Sequence, residues 1–149
     1  MRICFDMDGT IANLYGVEGW LAMILNGDAT PYKKATTLIN MNQLARTLNK
    51  LQKAGYEIGI ISWLAKGATT DYNEEVTAAK KAWLKKHLKS VHFDFIEIVE
   101  YGTDKNIVCI DTLDILFDDE AQNRNNWNGK AHDEKNILGI LKELLKNEK

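Results

Sequence analysis

Arg2-Ile3-Cys4-Phe5-Asp6-Met7-Asp8-Gly9-Thr10 is the stretch on which the reading of the whole chain turns. Ile3, Cys4 and Phe5 form an apolar run too short for a helix, as expected of a buried strand. The run stops at Asp6, and a second carboxylate follows two residues later. Gly9 then permits a tight turn or a close backbone approach. An Asp-Gly turn after a strand would account for this segment alone. A second stretch, Asp114-Ile115-Leu116-Phe117-Asp118-Asp119, repeats the pattern: a short apolar run that ends in acids.

Between and beyond these segments, strand-like and helix-like stretches alternate. Residues 13–26 carry Leu14, Val17, Leu21, Ile24 and Leu25 at helical spacing, with Gly27-Asp28 as the stop and Pro31 in the next loop. Residues 42–54 form a second amphipathic helix through Leu44, Leu48 and Leu51, ended by Gly55. Tyr56 to Ile61 reads as a strand closed by Ser62. After a polar loop over 63–72, Asp71 and Glu74 suggest a capping box opening a helix over about 72–89. Its apolar face is Val76, Ala79, Trp83, Leu84 and Leu88. Phe93 to Val99 is a third strand, and residues 107–110 suit strand or helix equally. A last helix over 133–147 carries Ile137, Leu138, Leu141, Leu144 and Leu145. This alternation predicts an α/β, Rossmann-like parallel sheet with helices on both faces and right-handed crossovers. In such sheets ligands bind at the C-terminal strand ends, where the strand order reverses. Asp6, Ser62 and the Asp118-Asp119 pair all fall at such ends, and Lys105 follows the third strand.

The chain has 149 residues, which suits one domain. With 45% apolar and 27% charged residues and one proline, disorder and low-complexity readings fall away. No apolar run approaches a membrane span, and Asp6 and Asp8 interrupt any signal-peptide core. The formal charge of −2 gives no general attraction to nucleic acid or anionic lipid. Cys4 and Cys109 make no disulfide framework, so a reduced, cytoplasmic setting is expected.

If the two acidic strand ends meet, up to four carboxylates crowd together. Two unit charges 4 Å apart repel by about 4 kcal/mol at an effective dielectric near 20, so the cluster calls for a cation. Oxygen ligands with open positions suit Mg²⁺, which also bridges phosphates. Thr10 could cap the next helix or bond a carboxylate. Taken singly, Ser62 reads as a loop serine and Lys105 as a surface lysine. Their placement beside the acidic ends makes them candidates to hold a phosphate.

In these residues the chain resembles the haloacid dehalogenase superfamily of phosphohydrolases. Asp6, Asp8, Gly9 and Thr10 match its first motif, Ser62 its second, Lys105 its third, and Asp118 with Asp119 its fourth. The match spans residues 2 to about 120, in the family's order. Lys80 and Lys81 are alternatives for the third motif; Lys105 is preferred because they sit mid-helix. The resemblance implies a small helical cap inserted at residues about 11–38. It implies Asp6 as nucleophile, Asp8 as general acid and base, and phosphate held by Ser62, Lys105, Gly9 and Thr10. It places Mg²⁺ on Asp6, the Asp8 backbone carbonyl and Asp118, with Asp119 beside them. Asp104-Lys105 and Asp118-Asp119-Glu120 look most like the 5′(3′)-deoxyribonucleotidase-like branch.

The activity so implied is hydrolysis of a small phosphomonoester, with nucleoside monophosphates favoured. A nucleic-acid end phosphatase and a non-catalytic phosphate-binding module are the alternatives, and neither a membrane nor nucleic acid is the expected partner. Tyr15, Trp20 and Trp63 could stack on a base, although Trp20 also suits a core stripe. Trp127 could touch substrate or cover the sheet edge. Lys80, Lys81, Lys85, Lys86 and Lys89 read as a solvated helix face. His87, His92 and His132 lack metal-ligand spacing.

Overall fold

The computed structural model describes residues 1–148. Its strands are β1 (Arg2–Phe5), β2 (Ala12–Asn13), β3 (Thr36–Thr37), β4 (Glu57–Trp63), β5 (Phe95–Val99), β6 (Ile115–Phe117) and β7 (Lys130–His132). The α-helices are α1 (Trp20–Leu25), α2 (Thr30–Lys34), α3 (Met41–Lys53), α4 (Thr70–His87), α5 (Ala121–Asn126) and α6 (Ile137–Asn147). Five strands form one sheet in the order β5-β4-β1-β6-β7, every pairing parallel. The chain builds outward from β1 to β4 and β5, then crosses back to lay β6 and β7 on the other side. The reversal therefore falls between β1 and β6, where α/β sheets bind ligands. β2 and β3 form a separate antiparallel ribbon.

Side-chain alternation divides the core. Ile3, Phe5, Ile58, Ile60, Ile115 and Phe117 face α3, α4 and α6 and meet Leu44, Leu48, Trp83, Leu84 and Leu141. Cys4, Ile61 and Leu116 face the other way, onto Val108 and Trp127. The sheet is thus covered on both sides, by three long helices on one and by short segments on the other. At the N-terminal end, the fully buried Asp114 carboxylate accepts from the Arg2 N–H at 2.8 Å. It also accepts from the N–H groups of Ile110 and Asp111, at 2.9 and 3.0 Å. This clamp fixes the start of β1 against β6, in the register Ile3 to Ile115 and Phe5 to Phe117.

The expected second helix, second strand and last helix are present within a few residues. The region expected as one helix over 13–26 is broken instead. It holds β2, a 3-10 turn at Leu14–Gly16 and the six-residue α1. Leu21 and Leu25, expected in a core stripe, are 52% and 76% exposed. Pro31 sits inside the first turn of α2, where its missing N–H costs nothing. The cap of α4 is Thr69, whose side chain accepts from the Tyr72 N–H, and not Asp71. Residues 105–108 form a 3-10 turn, and β7 and α5 had no clear apolar pattern to announce them. Among the described residues no helix is long and apolar enough to cross a membrane.

Candidate active site

The Asp6 N–H donates to the Phe117 carbonyl at 2.9 Å, which carries the β1–β6 ladder one residue past the strand. This sets Asp6 beside Asp118. The chain then folds into a loop in which the N–H groups of Thr10, Ile11 and Ala12 all donate to the Met7 carbonyl. Gly9 stands at φ +82°, where a side chain would be strained, and a Cβ there would overlap the Asp119 carboxylate and the Tyr15 ring. The Thr10 hydroxyl, 1% exposed, donates to Asp6 Oδ2 at 2.9 Å and accepts from the Asp119 N–H at 3.1 Å.

The groups of Gly9 and Thr10 expected to hold phosphate are engaged within the loop. Their N–H groups are spent on Ala12 and Met7, and the Thr10 hydroxyl is spent on the carboxylates. Both residues hold the two acidic strand ends together.

Asp6, Asp118 and Asp119 bring carboxylate oxygens within 4.8 Å of one another. Burial pushes the Asp118 carboxyl up to about 6 and the Asp119 carboxyl up to about 8, with the Asp6 charge adding to both. The Asp8 side chain stands outside this group. Burial raises its pKa, against the pull of Lys80.

Two lysines reach the site from opposite faces of the sheet. Lys105 opens the 3-10 turn and donates to Asp6 Oδ1 at 2.8 Å and Asp118 Oδ2 at 2.7 Å. Its own pKa is raised, the neighbouring carboxylates Asp6 and Asp118 outweighing burial. Lys80 comes from α4 and donates to Asp8 Oδ2 at 2.9 Å, Ser62 Oγ at 2.8 Å and the Trp63 carbonyl at 2.6 Å. Lys80 is 1% exposed, so its expected place on a solvated face is wrong; Lys81, Lys85, Lys86 and Lys89 do face solvent. Position 80 lies four residues after Val76 and four before Leu84, on the apolar stripe itself. A lysine on a core stripe was the signal that could have found it.

Four aspartates and two lysines leave a net charge of −2 when all are ionised. Converging hard oxygen donors with that residual charge fit a divalent cation such as Mg²⁺.

Above the carboxylates opens a cavity of about 450 Å³. Tyr15 and Trp20 meet edge to face on one part of its wall, with centroids 4.8 Å apart. Trp63 and Tyr101 pair at 4.9 Å on another, and the Trp63 indole is fixed by donating to the Thr103 carbonyl. Burial and the charges of Asp8 and Asp119 raise the Tyr15 hydroxyl, which marks how near it lies to them. Tyr32, Tyr101 and Asn123 also line the cavity and had no signature in the sequence. Trp127 lies away from it, donating to the Asp114 carbonyl under the sheet. His132 packs on Phe117.

No protein-family model matches the chain, and no curated protein does. Among solved structures it is similar to a D,D-heptose 1,7-bisphosphate phosphatase from Burkholderia thailandensis, with a TM-score of 0.55. The alignment covers 97% of each chain at 12% identity. At that identity the likeness is one of fold alone: a parallel α/β sheet covered by helices.

Proposed function

We propose that this chain is a Mg²⁺-dependent phosphomonoesterase that works through an aspartyl-phosphate. The observation that carries this reading is Asp6, held by Thr10 and Lys105 at the tip of β1 within the Asp118-Asp119 cluster, with Asp8 two residues on. An Asp6 oxygen attacks phosphorus, and the bond to the leaving oxygen breaks. Asp8 gives that oxygen a proton, then accepts one from the water that cleaves the acyl phosphate and frees Asp6. Lys105 and the Ser62 hydroxyl hold phosphate oxygens. Asp6, the Asp8 carbonyl and Asp118 would hold Mg²⁺, with Asp119 adjacent, and the ion supplies positive charge to the transferred group.

Nucleoside monophosphates are the favoured substrates, in the manner of the 5′(3′)-deoxyribonucleotidase-like branch. The support is the pair of aromatic clusters in the cavity wall, which suit a planar base, with residues 11–38 acting as a cap that contributes Tyr15 and Trp20. A second reading, a nucleic-acid end phosphatase, is favoured by a separate groove lined by Lys33, Lys34, Lys86 and His87. The test is a phosphatase screen over nucleotides, sugar phosphates and end-phosphorylated oligonucleotides, with Mg²⁺ or EDTA. Best turnover of mononucleotides with Mg²⁺ supports the first reading, and salt-sensitive turnover of oligonucleotide ends supports the second. Absence of turnover on every ester refutes both.

A further inference from the structure

The chemistry above uses Lys105 and leaves a second buried ammonium without a task. Lys80 sits in the middle of α4 on the side of the sheet opposite Lys105. Burying an ammonium is costly unless it is fully bonded. An ammonium has three N–H donors and no acceptor. All three are matched here, by Asp8 Oδ2, Ser62 Oγ and the Trp63 carbonyl, with the Tyr32 ring 5.2 Å away. Lys80 therefore has no donor left for a phosphate. Ser62 must accept in its bond with Lys80, which leaves the hydroxyl proton free to turn elsewhere. Asp8 is tied through Oδ2 alone; among the described residues Oδ1 has no hydrogen bond.

We propose that Lys80 is a positioning residue: it clamps Asp8 by one oxygen, so that the other meets the leaving-group oxygen of the ester. This rests on the phosphomonoesterase reading and assigns a part of the site outside the four motif positions.

The test compares kcat/KM, which reports phosphoryl transfer to Asp6, for two esters with Mg²⁺ at one pH. A nucleoside monophosphate has a poor leaving group and needs acid help; 2,4-dinitrophenyl phosphate needs little. General acid help is typically worth about 10²–10⁴-fold. Lys80→Met is expected to lose about 30-fold or more on the nucleotide and under about 5-fold on the dinitrophenyl ester, within that range. Asp8→Asn should show the same split, and the exposed Lys81→Met should match the parent. The double variant Lys80→Met/Asp8→Asn removes both charges together, so neither is left buried without its partner, and a thermal melt checks that it is folded. If Lys80 acts through Asp8, the double variant is no slower than Asp8→Asn. Equal losses on both esters, an unaffected Lys80→Met, or a double variant slower than Asp8→Asn overturns the proposal. An Asp8→Asn protein with no split rejects the acid–base role of Asp8, and with it the parent reading.

Discussion

Lys105→Met isolates the ion pairs that hold the two acidic strand ends together. The ammonium lies 2.8 Å from Asp6 Oδ1 and 2.7 Å from Asp118 Oδ2, and none of the three side chains is more than 9% exposed. Each contact is worth about 6 kcal/mol of gross attraction at an effective dielectric near 20. Desolvation offsets much of that, and breaking a buried pair typically costs about 3–5 kcal/mol net. Met keeps the stem and its packing, so the loss is electrostatic. For a chain of this size each kcal/mol moves Tm by roughly 2–4 °C, so a fall of roughly 6–20 °C is expected in EDTA. The site's formal charge would pass from −2 to −3, so Mg²⁺ should bind the variant more tightly and return part of that Tm. Turnover should still fall by about 10²-fold or more, since a phosphate loses its fixed cation. Differential scanning fluorimetry with EDTA and with Mg²⁺ reads both arms. A Tm within about 2 °C of the parent in EDTA, or a loss that Mg²⁺ leaves untouched, would refute the reasoning.

Asp118→Asn should weaken Mg²⁺ binding in calorimetry more than Asp119→Asn does, because Asp118 is fully buried between Lys105 and Asn123. The Asp118 and Asp119 carboxyls stand raised to about 6 and about 8, so the metal-free fold holds protons that the unfolded chain releases near 4. Their contribution to stability is full at low pH and is lost as pH rises through those values, while Mg²⁺ affinity climbs over the same window as protons leave. Thermal melts in EDTA and Mg²⁺ titrations from pH 5 to 9 test both slopes; a flat affinity across that range contradicts them. Trp63→Ala with Tyr101→Ala should raise KM for nucleotides about tenfold, in line with a base-stacking loss of about 1–3 kcal/mol, and leave that for a small alkyl phosphate unchanged.

Legibility followed burial and locality. The tips of β1 and β6 were readable as a pair, because two apolar runs that both end in carboxylates say more than either run alone. The alternation of buried strands and amphipathic helices led directly to the parallel sheet. Residues 13–26 misled because Leu21 and Leu25 hold helical spacing yet stay exposed over the cavity, where an open pocket replaces a core. β7 and α5 are short and polar, held by the Asp114 carbonyl accepting from Lys130 N–H and Trp127 Nε1, and not by any pattern of their own. Lys80 entered only as a less favoured choice for the third motif, because a cluster of lysines on one helix suggests solvent. Its neighbours are exposed, but its own position faces the sheet. For Gly9 and Thr10 the structure adds what their N–H and hydroxyl groups bond in this loop. Nothing in the sequence shows that their hydrogen bonds are spent inside the loop.

Asp114 gives the fold something like a caliper with its hinge at the far end from its jaws. Asp6 lies four residues beyond Arg2, and Asp118 four beyond Asp114, along neighbouring parallel strands. At about 3.3 Å per residue, the hinge sits roughly 13 Å from the carboxylates whose spacing it governs. A slip of one residue there would open the jaws by about 3.3 Å and turn every side chain of one strand to the opposite face. One ammonium could then no longer touch both Asp6 and Asp118. The tolerance of the acidic centre is therefore set at the opposite edge of the sheet, by a carboxylate that never meets a ligand.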